Sequence, residues 1–427
     1  MRRPDKSIVT SLLQNDFYKF PMDLFERRYF PNPNVVYALK NRMEDVRLAE
    51  VIDEGELREH LDEIRKLRFT VGELQWLAGT FQYDQLMFPV EYIVSLRNFS
   101  LPDYILEKER DTGQYRLEFS GPGATHWEII ALLIVNTLLN RARMKGMTRS
   151  EIEGIYSSGR LNLVRKIKEI REYRKLAQIK NYQPLSFSDF GTRRCFSPEW
   201  QDGIVEVLKE ELPEEFKGTS NCHLAKKHEV MPMGTNAHAP QMIAMALAEL
   251  QGENIKQALF NFYRNWRTLF PSDALNILLP DTVGSPYFFD HAPAELASSR
   301  GARGDSGDLY REGERSIRFF KKHDRDPMTK LYIPSDGLVL PPMFKLSIHF
   351  TGKIPVSHGW GSSLTNHMVD ELAFKNVSIV IKPVSVNGHG TVKLSNNIAK
   401  AIGKREDIAR YQKEFSHTDY TDEKCTY

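Results

Sequence analysis

SFSDFGTRR at residues 186–194 is a short apolar run ending in a polar, glycine-bearing turn, and three later stretches have the same form. They are LNILLPDTVG (275–284), LYIPSDGL (331–338) and KIPVSHGWG (353–361). Helix-like segments lie between them. Near 199–212, Ser197 can cap a helix, Pro198 suits its first position, and Trp200, Ile204, Val207 and Leu208 share one face. Helices alternating with short apolar strands define a β/α architecture from about residue 136. In such folds chemistry collects where loops converge at the carboxyl ends of the strands.

The turns in this region hold Arg193, Asp281, Asp305 with Asp308, and Asp336, with glycines beside each. Asp and Gly are routine turn residues, so one such turn says little and the set says more. Asp305-Ser306-Gly307-Asp308, preceded by Arg303, offers carboxylates for sugar hydroxyls or magnesium and a guanidinium for phosphate. HGWGSSLT (358–365) would aim backbone N–H groups and hydroxyls at an anion; a tight βα turn with incidental glycines is the plainer reading. Neither a P-loop nor a complete G-x-G-x-x-G fingerprint is present.

GTSNCHLAKKHEVMPMGTNAHAPQM (218–242) adds two Gly-Thr pairs and a histidine. His238 falls in the first turn of a helix running through Pro240 to Leu250. A phosphorylated imidazole there would meet unsatisfied N–H groups and the positive helix end, although a histidine in that position can equally be a structural hydrogen-bonder. Cys222, His223 and His228 lack a second ligand pair at zinc spacing, so they read instead as a surface-facing helix end.

The 427 residues are 41% hydrophobic and 27% charged, with a net charge of only +2. That balance fits a soluble protein with a full core and gives no field to recruit nucleic acid or an anionic membrane. Cys195, Cys222 and Cys425 are few and widely spaced, which suggests reduced thiols in the cytoplasm. The N-terminus lacks the pattern of a secretory signal and reads as mature protein. WEIIALLIVNTLL (127–139) is too short for a bilayer and reads as a buried helix.

Residues 1–135 read as an α+β unit, with VVYALKNR (35–42) buried, a charged helix near 47–67, and partial alternation in FPVEYIVSLRNFSL (88–101). In residues 12–30, Phe17, Phe20, Leu24 and Phe25 share a helical face while Asp16 and Tyr18 project elsewhere. Near the other end, SIVIKPVSVNGHGTVKLS (378–395) is a hairpin turning at Asn387-Gly388, followed by a charged helical tail.

Read together, NDFYKFPM, SDFGTRR, GTSN with GTNAH, LPDTVGS, GARGDSGD, SDGL, SHGWGSSLTN and IVIKPVSVNG with KLS resemble the nicotinate phosphoribosyltransferase family over nearly the whole chain. The resemblance implies an irregular α/β barrel of the type II phosphoribosyltransferase kind (136–375) and an N-terminal α+β domain (1–135). A C-terminal segment (376–427) would pack back on that domain. It implies transfer from 5-phosphoribosyl 1-diphosphate to nicotinate with magnesium, and ATP coupling through a phosphohistidine at His238.

By the same resemblance, Phe190 stacks on the pyridine ring and Tyr18 covers its other face, from this chain or from the partner in a homodimer. Arg193 and Arg303 bind phosphate or carboxylate, Asp305 and Asp336 hold the ribose, Gly359 and Gly361 admit the 5-phosphate, and Asp281 orients near His238. Thr219 and Ser220 line the base site. Nicotinamide enzymes place an aspartate at the position of Ser220, whereas a serine hydroxyl can donate to a carboxylate, which favours nicotinate over nicotinamide.

Two departures stand out. Ala239 replaces the acid that usually follows the phosphorylated histidine, and KLSNNIAK (393–400) differs from the usual KLSDSPGK, so no role is carried onto Asn396, Asn397 or Lys400. The first departure also motivates a catalytically dead ligand-binding homologue as an alternative. A sugar-phosphate aldolase or isomerase would want a Schiff-base lysine at a strand end, and none is apparent there.

Overall fold

The computed structural model describes residues 7–79, 86–368 and 376–423. Cys425 lies outside them, as does residue 375 at the expected boundary of the C-terminal segment.

Strands β1 (Val35–Asn41), β2 (Tyr104–Glu109) and β3 (Gln114–Ser120) belong to an antiparallel sheet near the N-terminus. The β2–β3 hairpin was not anticipated, although Tyr115, Leu117 and Phe119 alternate inward as a half-buried strand requires. Residues 90–96, in contrast, are a helix rather than part of an alternating strand. Tyr92 and Leu96, four apart, are buried while Val90 and Val94 face out. The charged stretch near 47–67 divides into helices Leu48–Val51 and Glu54–Lys66, the second capped by Asp53, whose side chain accepts from Glu56 N. Against the sheet lies helix Trp127–Arg143, buried continuously from Trp127 to Asn140 as its all-round apolarity demands.

Strands β4 (Phe187–Asp189), β5 (Phe216–Thr219), β6 (Ile277–Leu278), β7 (Gly301–Gly304), β8 (Leu331–Pro334) and β9 (His358–Trp360) form two parallel sheets, ordered β5-β4-β9 and β6-β7-β8. Tyr332 joins them: its N–H donates to Pro355 O (2.9 Å) and its carbonyl accepts from Ser357 N (3.0 Å). On the opposite side the ring closes without a regular strand. Thr219 exchanges backbone bonds with Met231 and Met233, and Asn236 Nδ2 donates to Ile277 O at 3.1 Å. Gly218 permits this approach, because a Cβ there would sit 2.0 Å from Met231 O at a φ of +134°. The result is an irregular α/β barrel.

An N-terminal and a C-terminal segment both reach the barrel mouth. Phe17 N donates to Ser220 O (2.7 Å), Cys222 N to Asn15 O (2.9 Å) and His223 N to Leu13 O (2.8 Å), so residues 13–17 are laced to the end of β5 before helix Lys19–Tyr29 begins. Cys222 is therefore wholly buried, not part of a surface-facing helix end. Strands β10 (Ile379–Val386) and β11 (His389–Gly390) turn at Asn387 and Gly388, both with positive φ, as the hairpin reading expected. β10 pairs along β1 from Val35–Val386 to Asn41–Ile379, completing the sheet order β11-β10-β1-β3-β2. The chain then crosses to the barrel, where Leu394 N and Ser395 N donate to Thr282 O (2.8 Å) and Asp281 O (3.0 Å). One large apolar core runs through both parts. Ser197 caps helix Pro198–Glu211 through Trp200 N at 3.2 Å. Among the described residues no helix is long and apolar enough to cross a membrane.

Candidate active site

A cavity of about 220 Å³ opens where the strand ends, the N-terminal segment and the C-terminal segment converge. Its wall includes Tyr18, Phe190, Arg193, His238, Arg303, Asp305, Asp336, Gly359 and Gly361, all expected from sequence. It also includes Asp16, Arg42, Lys382, Lys393 and Lys400, which carried no expected role. Tyr18 reaches it within one chain.

His238 opens helix His238–Leu250 and is buried. Its Nε2 lies 2.7 Å from Asp281 Oδ1 and 3.6 Å from Asp305 Oδ2. Asp281, which sits behind His238 rather than on the cavity wall, accepts from Ser306 Oγ at 2.7 Å, and Lys393 Nζ stands 3.2 Å from its Oδ2. Burial pushes the imidazole down to about 4, with Lys393 adding to the effect and Asp281 opposing it. Burial alone would raise Asp281, but Lys393 and His238 hold it well below the usual carboxylate range. With the imidazole neutral at pH 7, Lys393 is the charge that keeps Asp281 ionised. An ionised Asp281 only accepts, so Nε2 carries the proton and Nδ1 the lone pair.

Asp305 is held down to about 2, because Arg303 and His238 outweigh its burial. Its Oδ1 accepts from Ser335 Oγ at 3.0 Å. Atoms of His238, Asp281 and Asp305 lie within 4.8 Å of one another, near enough to share a metal. Asp281 is spent on His238 and Lys393, and a hard cation prefers oxygen to the ring nitrogen of His238, which leaves Asp305, a quarter exposed, as the group suited to such a cation that keeps most of its waters.

Gly359 packs so close to the 334–337 turn that a Cβ would meet Ser335 at 3.0 Å. Ser363 is not available to an anion, since its hydroxyl bridges Trp360 Nε1 and Leu338 O; Ser362 remains on the wall. Asp336 is ion-paired with Lys400, and burial raises its carboxyl against that lysine.

Thr219 and Ser220 do not reach the cavity. Thr219 Oγ1 donates to Asp189 Oδ2 and Ser220 Oγ to Asp16 Oδ1, each at 2.7 Å, and both residues are wholly buried. The backbone pairing of residues 13–17 with 220–223 puts Asp16, not Ser220, at the wall. The lysines were missed because their partners lie more than 60 residues away: Asp336 for Lys400, Asp281 for Lys393, Glu128 for Lys382. The sequence signal was present in the polar side chains interrupting IVIKPVSV and KLSNNIAK.

A barrel of short parallel strands with its charged and aromatic groups at the strand ends, joined to an antiparallel sheet, is the fold of the type II phosphoribosyltransferases. Residues 13–136 match the nicotinate phosphoribosyltransferase N-terminal domain, and residues 185–419 match the nicotinate phosphoribosyltransferase family. The chain belongs to the nicotinate phosphoribosyltransferase family, and it is a transferase of NAD biosynthesis. Among solved structures, a nicotinate phosphoribosyltransferase from Vibrio cholerae is 26% identical with a TM-score of 0.84, covering 97% of this chain and 95% of that one. One from Porphyromonas gingivalis is 25% identical with a TM-score of 0.80, covering 96% and 100% respectively.

Proposed function

We propose that the enzyme joins nicotinate to 5-phosphoribosyl 1-diphosphate, forming nicotinate mononucleotide and diphosphate, and that ATP phosphorylates His238. The observation that carries this reading is the His238–Asp281–Lys393 arrangement, which meets through His238 and Lys393 the cavity that Tyr18, Phe190, Gly359 and Gly361 also line.

In the transfer step, the pyridine nitrogen lone pair forms the new bond to the anomeric carbon. The bond to diphosphate breaks with its electrons leaving on oxygen. No proton is removed, so no general base is needed. The site instead positions the ring between Tyr18 and Phe190 and sets Asp305 near the positive charge that develops on the sugar. Magnesium, when bound through Asp305, would neutralise phosphate charge. Arg303 and Lys400 supply further cations along the cavity wall.

In the coupling step, the Nδ1 lone pair attacks the terminal phosphorus of ATP and ADP leaves. The Nε2 proton stays on the ring, hydrogen-bonded to Asp281, so the carboxylate offsets the positive charge on the phosphorylated imidazole. Asp281 thus takes the orienting part that Ala239 cannot.

The nicotinamide reading has one observation in its favour: Ser220 is committed to Asp16, an acidic residue of the cavity wall. Lys382 and Arg193 on the same wall favour an anionic base. The test is mononucleotide formation from nicotinate or nicotinamide, phosphoribosyl diphosphate and magnesium, with and without ATP. Product from nicotinate, with an ATP response lost in His238→Ala while basal transfer persists, supports the proposal. No product from nicotinate removes it.

A further inference from the structure

Glu128, in helix Trp127–Arg143, is wholly buried and meets three cations from three other parts of the chain. Its Oε2 lies 2.5 Å from Lys19 Nζ, and its Oε1 lies 2.6 Å from Lys382 Nζ and 3.6 Å from Arg193 Nη1. Lys382 and Arg193 line the cavity, whereas Glu128 and Lys19 stand behind them. Asp16 completes this wall and accepts from Ser220. Even with Asp16 ionised, these five groups hold three positive charges against two negative ones. Buried charge is costly unless it is matched, so a wall with a surplus cation suits an anion delivered by a ligand.

Position identifies which anion. Lys19 Nζ is 5.3 Å from the centre of the Tyr18 ring, and Arg193 follows Phe190 in the same turn, so the cationic wall adjoins the aromatic residues. Gly359 and Gly361, which the resemblance assigns to the 5-phosphate, lie in and just beyond β9. We propose that Lys382, fixed together with Arg193 by Glu128, receives the carboxylate of the pyridine substrate, and that Glu128 is the positioning residue for both cations. The inference rests on the reaction proposed above and names the group that selects its base. A neutral carboxamide can offer a fixed ammonium only its carbonyl dipole, whereas a carboxylate pairs full opposite charges across the hydrogen bond.

The test compares Lys382→Met and Glu128→Gln with wild type in initial-rate assays, varying nicotinate and phosphoribosyl diphosphate separately, with nicotinate binding followed by calorimetry. The nicotinate KM and Kd should rise at least about tenfold in both variants. The kcat at saturation and the KM for phosphoribosyl diphosphate should stay within about threefold, a split that general loosening of the fold does not produce. Lys382→Met replaces the amine with a side chain of similar length and decides the matter alone if Glu128→Gln does not fold. An unchanged nicotinate KM in Lys382→Met overturns the proposal, as does a rise confined to the phosphoribosyl diphosphate KM or an equal loss in every parameter. A wild-type enzyme inactive on nicotinate would instead remove the proposed function, and that result is read before any variant is compared.

Discussion

His238 Nε2 and Asp281 Oδ1 are joined by a 2.7 Å hydrogen bond in which a neutral imidazole donates to a charged carboxylate. That pairing fixes the reactive nitrogen, because a ring that donates from Nε2 keeps its lone pair on Nδ1. In the proposed phosphohistidine the phosphoryl group should therefore sit on Nδ1, which two-dimensional NMR after incubation with ATP can assign; phosphate on Nε2 would contradict the geometry. Asp281→Asn presents an amide in place of the acceptor and favours the opposite tautomer. It should lower the ATP-stimulated rate on the order of 100-fold or more while sparing basal transfer.

Lys393 bears on stability as well as chemistry. Its ammonium lies 3.2 Å from buried Asp281, with both side chains almost fully enclosed. Lys393→Met leaves that carboxylate without its cation, and breaking a buried pair on one side costs about 3–5 kcal/mol. Denaturant unfolding should show this loss without a change in slope. Lys393→Met/Asp281→Asn should recover much of it, and a double variant no more stable than Lys393→Met would show that the pair is not the cause.

Much of the site was legible because β/α folds gather chemistry at strand ends: Arg193, Asp305 and Asp336 follow short strands, and Gly359 lies in β9, in stretches that announce themselves by composition. The hairpin at Asn387-Gly388 and the Ser197 cap were equally local signals. The rest depended on distant pairing. Lys382 lies opposite Ala38 in the β1–β10 register, a contact that neither segment declares by itself. Ser220 is assigned to the base site by resemblance, through the aspartate that nicotinamide enzymes carry there, but the lacing of residues 13–17 onto the end of β5 interposes Asp16.

Ser220→Ala separates these two placements. If the hydroxyl served the substrate carboxylate, its loss would strip nicotinate preference from the enzyme. Bonded to Asp16 instead, its removal should cost about 1–3 kcal/mol of stability by leaving a buried acceptor short of a donor. The ratio of nicotinate to nicotinamide kcat/KM should move by less than about fivefold, the worth of one hydrogen bond of ~1 kcal/mol. A larger fall in that ratio, with stability unchanged, would return Ser220 to the substrate.

Lys382 sets a pH dependence whose direction follows from its surroundings. Burial lowers its amine to about 8, against the pull of Glu128, while Arg193 and Lys19 push the same way as burial. At pH 7 the ammonium is charged, and it loses its proton as pH rises through about 8. Nicotinate is already a carboxylate across this range, so its affinity should fall as the lysine neutralises. The nicotinate KM should therefore climb between about pH 7.5 and 9. In Lys382→Met the climb should be absent, because the variant lacks the titrating amine and begins with the weaker affinity. An identical climb in both enzymes would assign the titration to another group on the wall.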